Sequence, residues 1–513
     1  MALTVGQQKA LDLAKAGKNI FLSGGGGVGK TYVAQKIIGE LKKAGKEVLI
    51  TASTGKAAML LGGVTCHSAF HIPIKLTWTA EGTILKKDPL YLVDTVIIDE
   101  ISMLRIDVFE YVYQCIDFVN RERKKKEMRP IQLIVIGDFC QLPPVIINPT
   151  DGSPSERELM SQYYGFDIGL GFAFLAPSWK ACNFETVELT EVIRQSDSGM
   201  INALNDIRFG GKKGIDYLKN HMRTEPFKES DGAVYLCGKN RTADRINKLA
   251  LAKINEKSVK YIAEEEGQVF EEDKPAPPYI ELKKGAHVLM LQNSTKYRNG
   301  STGTVVSLEE DFIHVRIDET GEIVPVERYT WNVERYEIRK GKLQKTLVGM
   351  YRQFPLRLGY AITIHKSQGQ SYDKAMLMLG EYSSEIFVYG QFYVAVSRVR
   401  SIDGLYIDGN LSNINILASP DVVAFYNHDK NDKTGIQEQE PEKEGNVKKS
   451  WKKPTSKKTG MTRIDLESNQ IINRVAWTYI STLSRDAVRD EKGFIVPDRY
   501  VSNVKDFLEN LQK

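Results

Sequence analysis

The chain has 513 residues, 42% of them hydrophobic, with 70 Lys and Arg against 65 Asp and Glu for a formal charge of +5. That length predicts about three globular domains, and so small a net charge neither demands nor excludes a nucleic-acid partner. No apolar run approaches the ~18 residues of a membrane span, and the N-terminus lacks a basic-then-apolar signal pattern. The five cysteines (Cys66, Cys115, Cys140, Cys182, Cys237) are scattered without a C-x-x-C pair. That argues against a zinc site or a disulfide framework and for a reducing, cytoplasmic setting, or a nuclear or mitochondrial one in a eukaryote.

Thr4 is placed to cap a first helix. An amide from Gln7 or Gln8 suits the donor and acceptor edge of adenine, with a solvated helix glutamine as the plain alternative. Asn19 to Leu22 reads as a short buried strand, and Tyr32, Val33, Ile37, Ile38 and Leu41 have helical apolar spacing. Between them stands Ser23-Gly24-Gly25-Gly26-Gly27-Val28-Gly29-Lys30-Thr31, which fits the P-loop template without a mismatch. Glycines let backbone N–H groups close around phosphate oxygens, and the helix N-terminus adds its positive dipole end. Lys30 is expected to reach the β/γ-phosphates of ATP and the Thr31 hydroxyl to ligate Mg2+.

Glu47 to Ala52 reads as the next strand, running into Ser53-Thr54-Gly55-Lys56-Ala57-Ala58. That small-residue turn offers Thr54 and Lys56 to a nucleic-acid phosphate, or is simply a strand-to-helix connection. Residues 74–92 interrupt the rhythm and look like a small insert. Thr95 to Ile98 is a buried strand ending in Asp99 and Glu100, the expected partners of a P-loop. Asp99 would hold Mg2+ and Glu100 would polarise the attacking water. Arg121 to Arg129 is a basic cluster, read as a solvated loop or a phosphate patch. Ile131 to Ile136 is another apolar strand, ending in Gly137-Asp138-Phe139-Cys140-Gln141. Doubly wound sheets bind ligands at such ends, so Gln141 is a candidate sensor of the γ-phosphate. Strands alternating with helices make this half α/β with a parallel sheet.

In the second half, Ala233 to Leu236 and Ala286 to Leu291 read as strands. Short alternating runs from Gly303 to about Gln344 predict a small antiparallel barrel. Ala361 to Ile364 leads into a turn in which Thr363, His365, Lys366, Ser367 and Gln368 supply donors suited to phosphate and to relaying the ATP state. After Tyr426, alternating glutamates (Glu438 to Glu444) and a lysine block (Lys448 to Lys458) read as a disordered linker over 428–460. Ile471 to Tyr479 and Val504 to Leu511 have helical spacing and predict a small helical module over 461–513.

In order and wording, SGGGGVGKT, TASTGKAA with TCHSAFHI, IIDEISM, VIGDFCQLPPV, LTEVIRQ, YAITIHKSQGQSYD and FYVAVSRVRS resemble the motifs of RecD-like superfamily 1 (1B) DNA helicases, in the petite-integration-frequency (PIF-type) branch. The resemblance covers about residues 1–425. It implies two RecA-like cores, 1–185 and 186–427, in an α/β fold. The first would carry the 74–92 insert as a strand-separating wedge, and the second a barrel-like insert at about 294–350 as a DNA clamp. It implies Arg194 and Arg398 as fingers reaching the γ-phosphate across the cleft. His67 and Ser68 would join Thr54, Lys56 and the Thr363–Gln368 turn in binding single-stranded DNA. The implied activity is ATP-dependent, 5′ to 3′ unwinding of tailed or forked duplex, in replication, repair or recombination. The resemblance does not reach the C-terminal module, whose role is left open, with replication or repair proteins as candidate partners. Two alternatives stand beside it: a DNA-independent partner-remodelling ATPase, and a nucleic-acid-binding protein with a degraded ATPase core.

Overall fold

The computed structural model describes residues 3–73, 76, 88–148, 154–191, 197–222, 233–339, 342–380, 384–434, 461–465, 488–490 and 493–497. They divide into two units, 1–145 with 172–424, and 146–171 with 425–513.

The first unit begins with a six-stranded parallel sheet. Its strands are β1 (Ile20–Gly24), β2 (Val48–Ala52), β3 (Val64–Thr65), β4 (Thr95–Asp99), β5 (Gln132–Gly137) and β6 (Glu185–Leu189), in the order β3-β2-β4-β5-β1-β6. Every residue of β1, β2, β4 and β5 is buried, which is why these runs read as continuously apolar. Helices α1 (Val5–Lys15) and α2 (Lys30–Lys43) share one core with this sheet through Ala10, Ile37, Ile20 and Ile134. Short helices α3 (Gly55–Leu61) and α4 (Cys66–Ala69) follow β2 and β3. An aromatic cluster of Phe21, Phe109, Phe139 and Trp179 brings α5 (Ile106–Lys125) to the sheet.

Two boundaries differ from the sequence reading. β6 pairs with β1 along its whole length, so the first core runs to Leu189 rather than 185. The basic cluster begins at the end of α5 and runs into the turn after it. Arg121 pairs with Asp117, and buried Arg123 donates to the carbonyls of Tyr91, Val93 and Arg129. Cations in a last helical turn complement the dipole. The wedge segment lies outside the described residues apart from Leu76 and 88–92, of which Pro89–Leu92 is a 3-10 turn.

Beyond α6 (Glu156–Tyr164), which belongs to the second unit, the second core has four parallel strands. These are β7 (Val234–Cys237), β18 (Ala361–Thr363), β19 (Ala375–Met378) and β20 (Leu405–Asp408), in the order β18-β7-β19-β20. Helices α7 (Ser198–Arg208), α8 (Lys213–His221) and α10 (Gln391–Val396) close its apolar core through Leu204, Leu218, Leu236, Leu377 and Val394; α9 (Asn240–Lys253) packs on β7 and β18.

The β insert starts earlier and ends later than 294–350. β8 (Val259–Ile262), β9 (Glu264–Gly267) and β10 (Tyr279–Leu282) precede β11 (His287–Met290), β12 (Thr302–Leu308), β13 (Phe312–Ile317), β14 (Ile323–Glu327), β15 (Tyr329–Arg339), β16 (Lys342–Gln353) and β17 (Leu356–Leu358). A five-stranded antiparallel sheet, β14-β13-β12-β11-β17, shares one core with the β10–β8 pair through Tyr261, Leu282, Val288 and Val315. The long β15–β16 hairpin, with β9 on its edge, packs against α4 and the 3-10 turn at Pro89–Leu92. Strands as acidic as Glu264-Glu265-Glu266 carry no apolar alternation, so periodicity passed over them.

In the second unit, α6 is capped by Ser155 and Glu158, which exchange bonds across its first turn, and Arg157 pairs with Asp167. Helix α11 (Pro420–Thr434) continues seven residues into the expected linker; residues 435–460 lie outside the described residues. The module expected to be helical shows strands where it is described: β21 (Met461–Asp465), β22 (Val488–Asp490) and β23 (Gly493–Pro497) form an antiparallel sheet. The β-rich run Gly493-Phe494-Ile495-Val496 explains its central strand. Both stretches with helical spacing, 471–479 and 504–511, lie outside the described residues.

Candidate functional site: a cleft between the two cores

The P-loop joins β1 to α2. Gly29 caps α2 with φ 84°, a left-handed conformation that a side chain would strain. The Lys30 ammonium folds back on the loop, donating to the carbonyls of Gly24 at 2.7 Å and Gly25 at 2.9 Å. Burial pushes its pKa down, against the opposing pull of Asp138, Glu100 and Asp99. Thr31 is exposed one residue on. Buried Gln7 braces the loop from behind. Its Nε2 donates to Val28 O at 3.3 Å and its Oε1 accepts from Thr4 N at 3.2 Å. Both ends of the Gln7 amide thus have a protein partner, and Gln8 bonds Asp12 on its own helix.

β4 delivers the two carboxylates. Asp99 is 6% exposed and accepts from the Glu100 N–H at 2.9 Å. Burial, then the charge of Glu100, pushes its carboxyl up to about 7. Glu100 itself takes a left-handed conformation, φ 52° and ψ 47°, that turns its side chain out of the strand direction into the cleft. A buried acid held beside a second carboxylate and close to a lysine is a donor set that a divalent cation would relieve. The acidic residues present therefore fit a divalent cation such as Mg2+.

The second core reaches this site at four points. Gln368 Nε2 donates to Glu100 Oε2 at 3.2 Å and to Gln141 Oε1 at 3.3 Å. The Gly26 N–H of the P-loop donates to the Tyr393 hydroxyl at 2.8 Å. The Arg208 guanidinium, 4% exposed, bonds both oxygens of Asp138 and reaches Glu188 Oε1 at 3.0 Å. Arg398 lies beside the P-loop: a Cβ built on Gly26 would be 3.6 Å from its Nη2. Its guanidinium donates to Val394 O, Gln370 O and Ser397 Oγ. Gly390, which caps α10 with φ 76°, lets the cores close, because a Cβ there would fall 2.2 Å from Gln141 O. Arg194 lies outside the described residues.

Of the residues expected on DNA, several have other partners here. Gln368 belongs to the nucleotide side of the cleft, as above. Half-buried Lys56 donates across the cleft to the carbonyls of Lys366 at 3.3 Å and Gln368 at 3.1 Å. Burial first, then the positive charge of Arg398, lowers its pKa to about 8. Thr54 accepts from Ala57 N as the cap of α3, and Thr363 accepts from Lys366 N. Ser367 donates to Ile364 O, so it fixes the turn. Lys366 is exposed and His365 half-buried, with the imidazole pKa lowered by burial. His67 and Ser68 lie on α4, where the Ser68 hydroxyl oxygen is buried without a hydrogen-bond partner.

Arg208, Asp138 and Tyr393 were not singled out from the sequence. A signal existed for Arg208. It falls on the apolar stripe of α7, four residues after Leu204 and eight after Met200, where a cation is out of place unless paired.

A family model for PIF1-like helicases matches residues 2–206. The Pif1 ATP-dependent DNA helicase of Bdellovibrio bacteriovorus is 34% identical over 436 residues, 82% of this chain and 90% of that one. The Xenopus laevis PIF1 ATP-dependent DNA helicase is 32% identical over 83% of this chain, which spans 64% of that protein. Among solved structures, Pif1 from Bacteroides sp in complex with ADP-AlF4 has a TM-score of 0.70 at 32% identity, over 84% of this chain and 98% of that one; the same protein bound to single-stranded DNA gives 0.57.

Proposed function

The chain belongs to the PIF1-like helicase family, and from that premise and the geometry of the cleft we propose how it works as an ATP-dependent DNA helicase. ATP is bound on the P-loop, with Lys30 and the loop N–H groups on its phosphates. Thr31 and Asp99 would hold Mg2+, which would supply positive charge to the phosphates. Glu100 orients and polarises the attacking water. Arg398, from the opposite core, lies close enough to the P-loop to stabilise charge developing there, and Arg194 is its proposed companion.

One observation carries the coupling to DNA. The amide of Gln368 bridges Glu100 and Gln141 from the opposite core, while Lys366 is exposed on the same turn. A turn that touches the water-activating carboxylate on one side and is open to a phosphate backbone on the other converts cleft closure into a change of grip. Grip through backbone contacts is insensitive to sequence and weakens with salt. Single-stranded DNA across both cores, 5′ to 3′ stepping, and separation of strands at a fork by the 74–92 segment complete the proposal.

The test is ATP hydrolysis with and without single-stranded DNA, with Lys30→Ala as control, then unwinding of matched 5′- and 3′-tailed duplexes. Strong stimulation by DNA, loss in the variant and unwinding from the 5′ tail alone are expected. DNA-independent turnover would favour a partner-remodelling ATPase, and unwinding from the 3′ tail alone would reverse the direction.

A further inference from the structure

Gln370 stands two residues beyond the Gln368 bridge and is 5% exposed. Its side chain and its backbone face different partners. Nε2 donates to Asn299 Oδ1 at 3.1 Å, and Oε1 accepts from the Tyr372 hydroxyl. The carbonyl oxygen accepts from Arg398 Nη1 at 3.2 Å. Tyr372 closes the circuit, since its N–H donates to Arg398 O at 2.9 Å. The guanidinium beside the P-loop is thus positioned by a residue whose side chain is tied to the β insert.

Asn299 belongs to the loop between β11 and β12, and that loop is held together by its own hydrogen bonds. Asn299 N donates to Asn293 Oδ1, Arg298 N to Ser301 Oγ, Gly300 N to Met290 O, and Ser294 Oγ accepts from the N–H groups of Lys296 and Tyr297. At its tip Arg298 is an exposed cation, and exposed Lys296 is paired with Glu322 at 2.6 Å. Gly300, at φ 96°, turns the chain so that Asn299 faces Gln370, with Gln370 Cβ 3.9 Å from a Cβ built on the glycine. Arg298 and Gln370 are thus joined through Asn299 and the bonds that hold its loop.

We propose that Gln370 is a positioning residue that sets Arg398 according to the place of the β11–β12 loop, so that a nucleic-acid strand drawn to Arg298 alters ATP hydrolysis through Asn299, Gln370 and Arg398. The proposal rests on the helicase reading of the cleft. It adds a route that bypasses Gln368: one side-chain amide links the insert to the finger, and another links the core to the water-activating acid.

The experiment is a double-mutant cycle in the full chain with Asn299→Ala, Gln370→Met and the pair together. Gln370→Met keeps the buried volume and the carbonyl that holds Arg398 and removes only the amide. Steady-state hydrolysis is measured against ATP at saturating oligo-dT, with oligo-dT affinity by fluorescence anisotropy and melting temperature as a check on folding. Each single variant is expected to lower DNA-stimulated kcat about tenfold, with KM for ATP and oligo-dT affinity within about twofold of the parent. The pair is expected to be no worse than Gln370→Met alone, because that substitution already cuts the Asn299 link. Tyr372→Phe, which leaves the Asn299 bond in place, is expected to fall between parent and Gln370→Met. Additive losses, unchanged stimulation, or a kcat loss matched by weakened oligo-dT binding would overturn the proposal. A parent protein not stimulated by oligo-dT would instead sink the helicase reading on which it rests.

Discussion

The guanidinium of Arg208, on a helix of the second core, chelates the carboxylate of Asp138 at the end of β5 in the first, with Nη2 to Oδ1 at 3.0 Å and both groups almost wholly out of solvent. Glu188 accepts a further bond at 3.0 Å. The pair therefore spans the cleft beside the P-loop, with Arg208 Cδ 3.9 Å from a Cβ built on Gly25, and Asp138 is the foremost charge favouring the Lys30 ammonium. Breaking a buried pair by removing one partner strands the other charge, at a cost of about 3–5 kcal/mol. Arg208→Ala is expected to lose stability on that scale by urea denaturation. Arg208→Lys should recover only part of it, because an ammonium cannot reproduce the two-pronged bond. A loss within experimental error for Arg208→Ala would mean the pair is not closed in solution.

Lys56 provides a pH handle on the closed cleft. Its pKa is lowered to about 8 from 10.5 by burial and by Arg398 and Arg357, with Glu100 opposing. The unfolded chain therefore binds more protons than the folded one between those two values, and this group makes stability rise with pH across that window. Below about pH 8 the buried ammonium is a standing penalty. Lys56→Met removes the titration, so its stability relative to the parent should decline between about pH 8 and pH 10. Chemical denaturation at two pH values checks this; parallel pH profiles would count against it.

The motifs were legible because phosphate chemistry fixes spacing. Gly24 to Thr31 must form one turn of backbone, and Asp99 and Glu100 must end a strand of the same parallel sheet, one strand removed from β1. Those constraints are local and survive in sequence. What the motifs meet across the cleft is not local. Gln368 was expected among nucleic-acid donors, and only the folded chain brings its amide to Glu100 and Gln141, 268 and 227 residues away. Arg208 carries no motif at all; its partner 70 residues upstream gives it meaning. The insert was misjudged at both ends for a different reason. β9 is three glutamates and a glycine, exposed on every residue, and is held as a strand by β16 rather than by its own pattern.

Gln368→Glu tests the bridge itself. The substitution keeps size and exchanges the donor for a carboxylate facing Glu100 at hydrogen-bond distance. Like charges so placed repel, and the donation to Gln141 is lost. Hydrolysis at saturating DNA is expected to drop by about two orders of magnitude, the scale of a lost preorganised donor. Gln368→Ala should cost less, since it removes the donor without adding charge. Equal losses in both variants would show that the amide acts by filling space rather than by donating to Glu100.

Tyr393 occupies a P-loop donor that a phosphate would want. The Gly26 N–H gives its bond to the Tyr393 hydroxyl at 2.8 Å. That hydroxyl is buried, and its pKa is driven up by burial and by Asp138. Nucleotide binding that recruits the Gly26 N–H must break this bond, and the net worth of such a bond is about 1 kcal/mol. Tyr393→Phe leaves the ring packed among Leu142, Leu204 and Val396 and deletes only the competitor. Removing it should tighten ATP binding by roughly fivefold, because 1.4 kcal/mol is a factor of ten. Equilibrium binding of a non-hydrolysable ATP analogue measures it directly. Weaker binding in Tyr393→Phe would mean that the hydroxyl stays in the site and helps to hold the nucleotide.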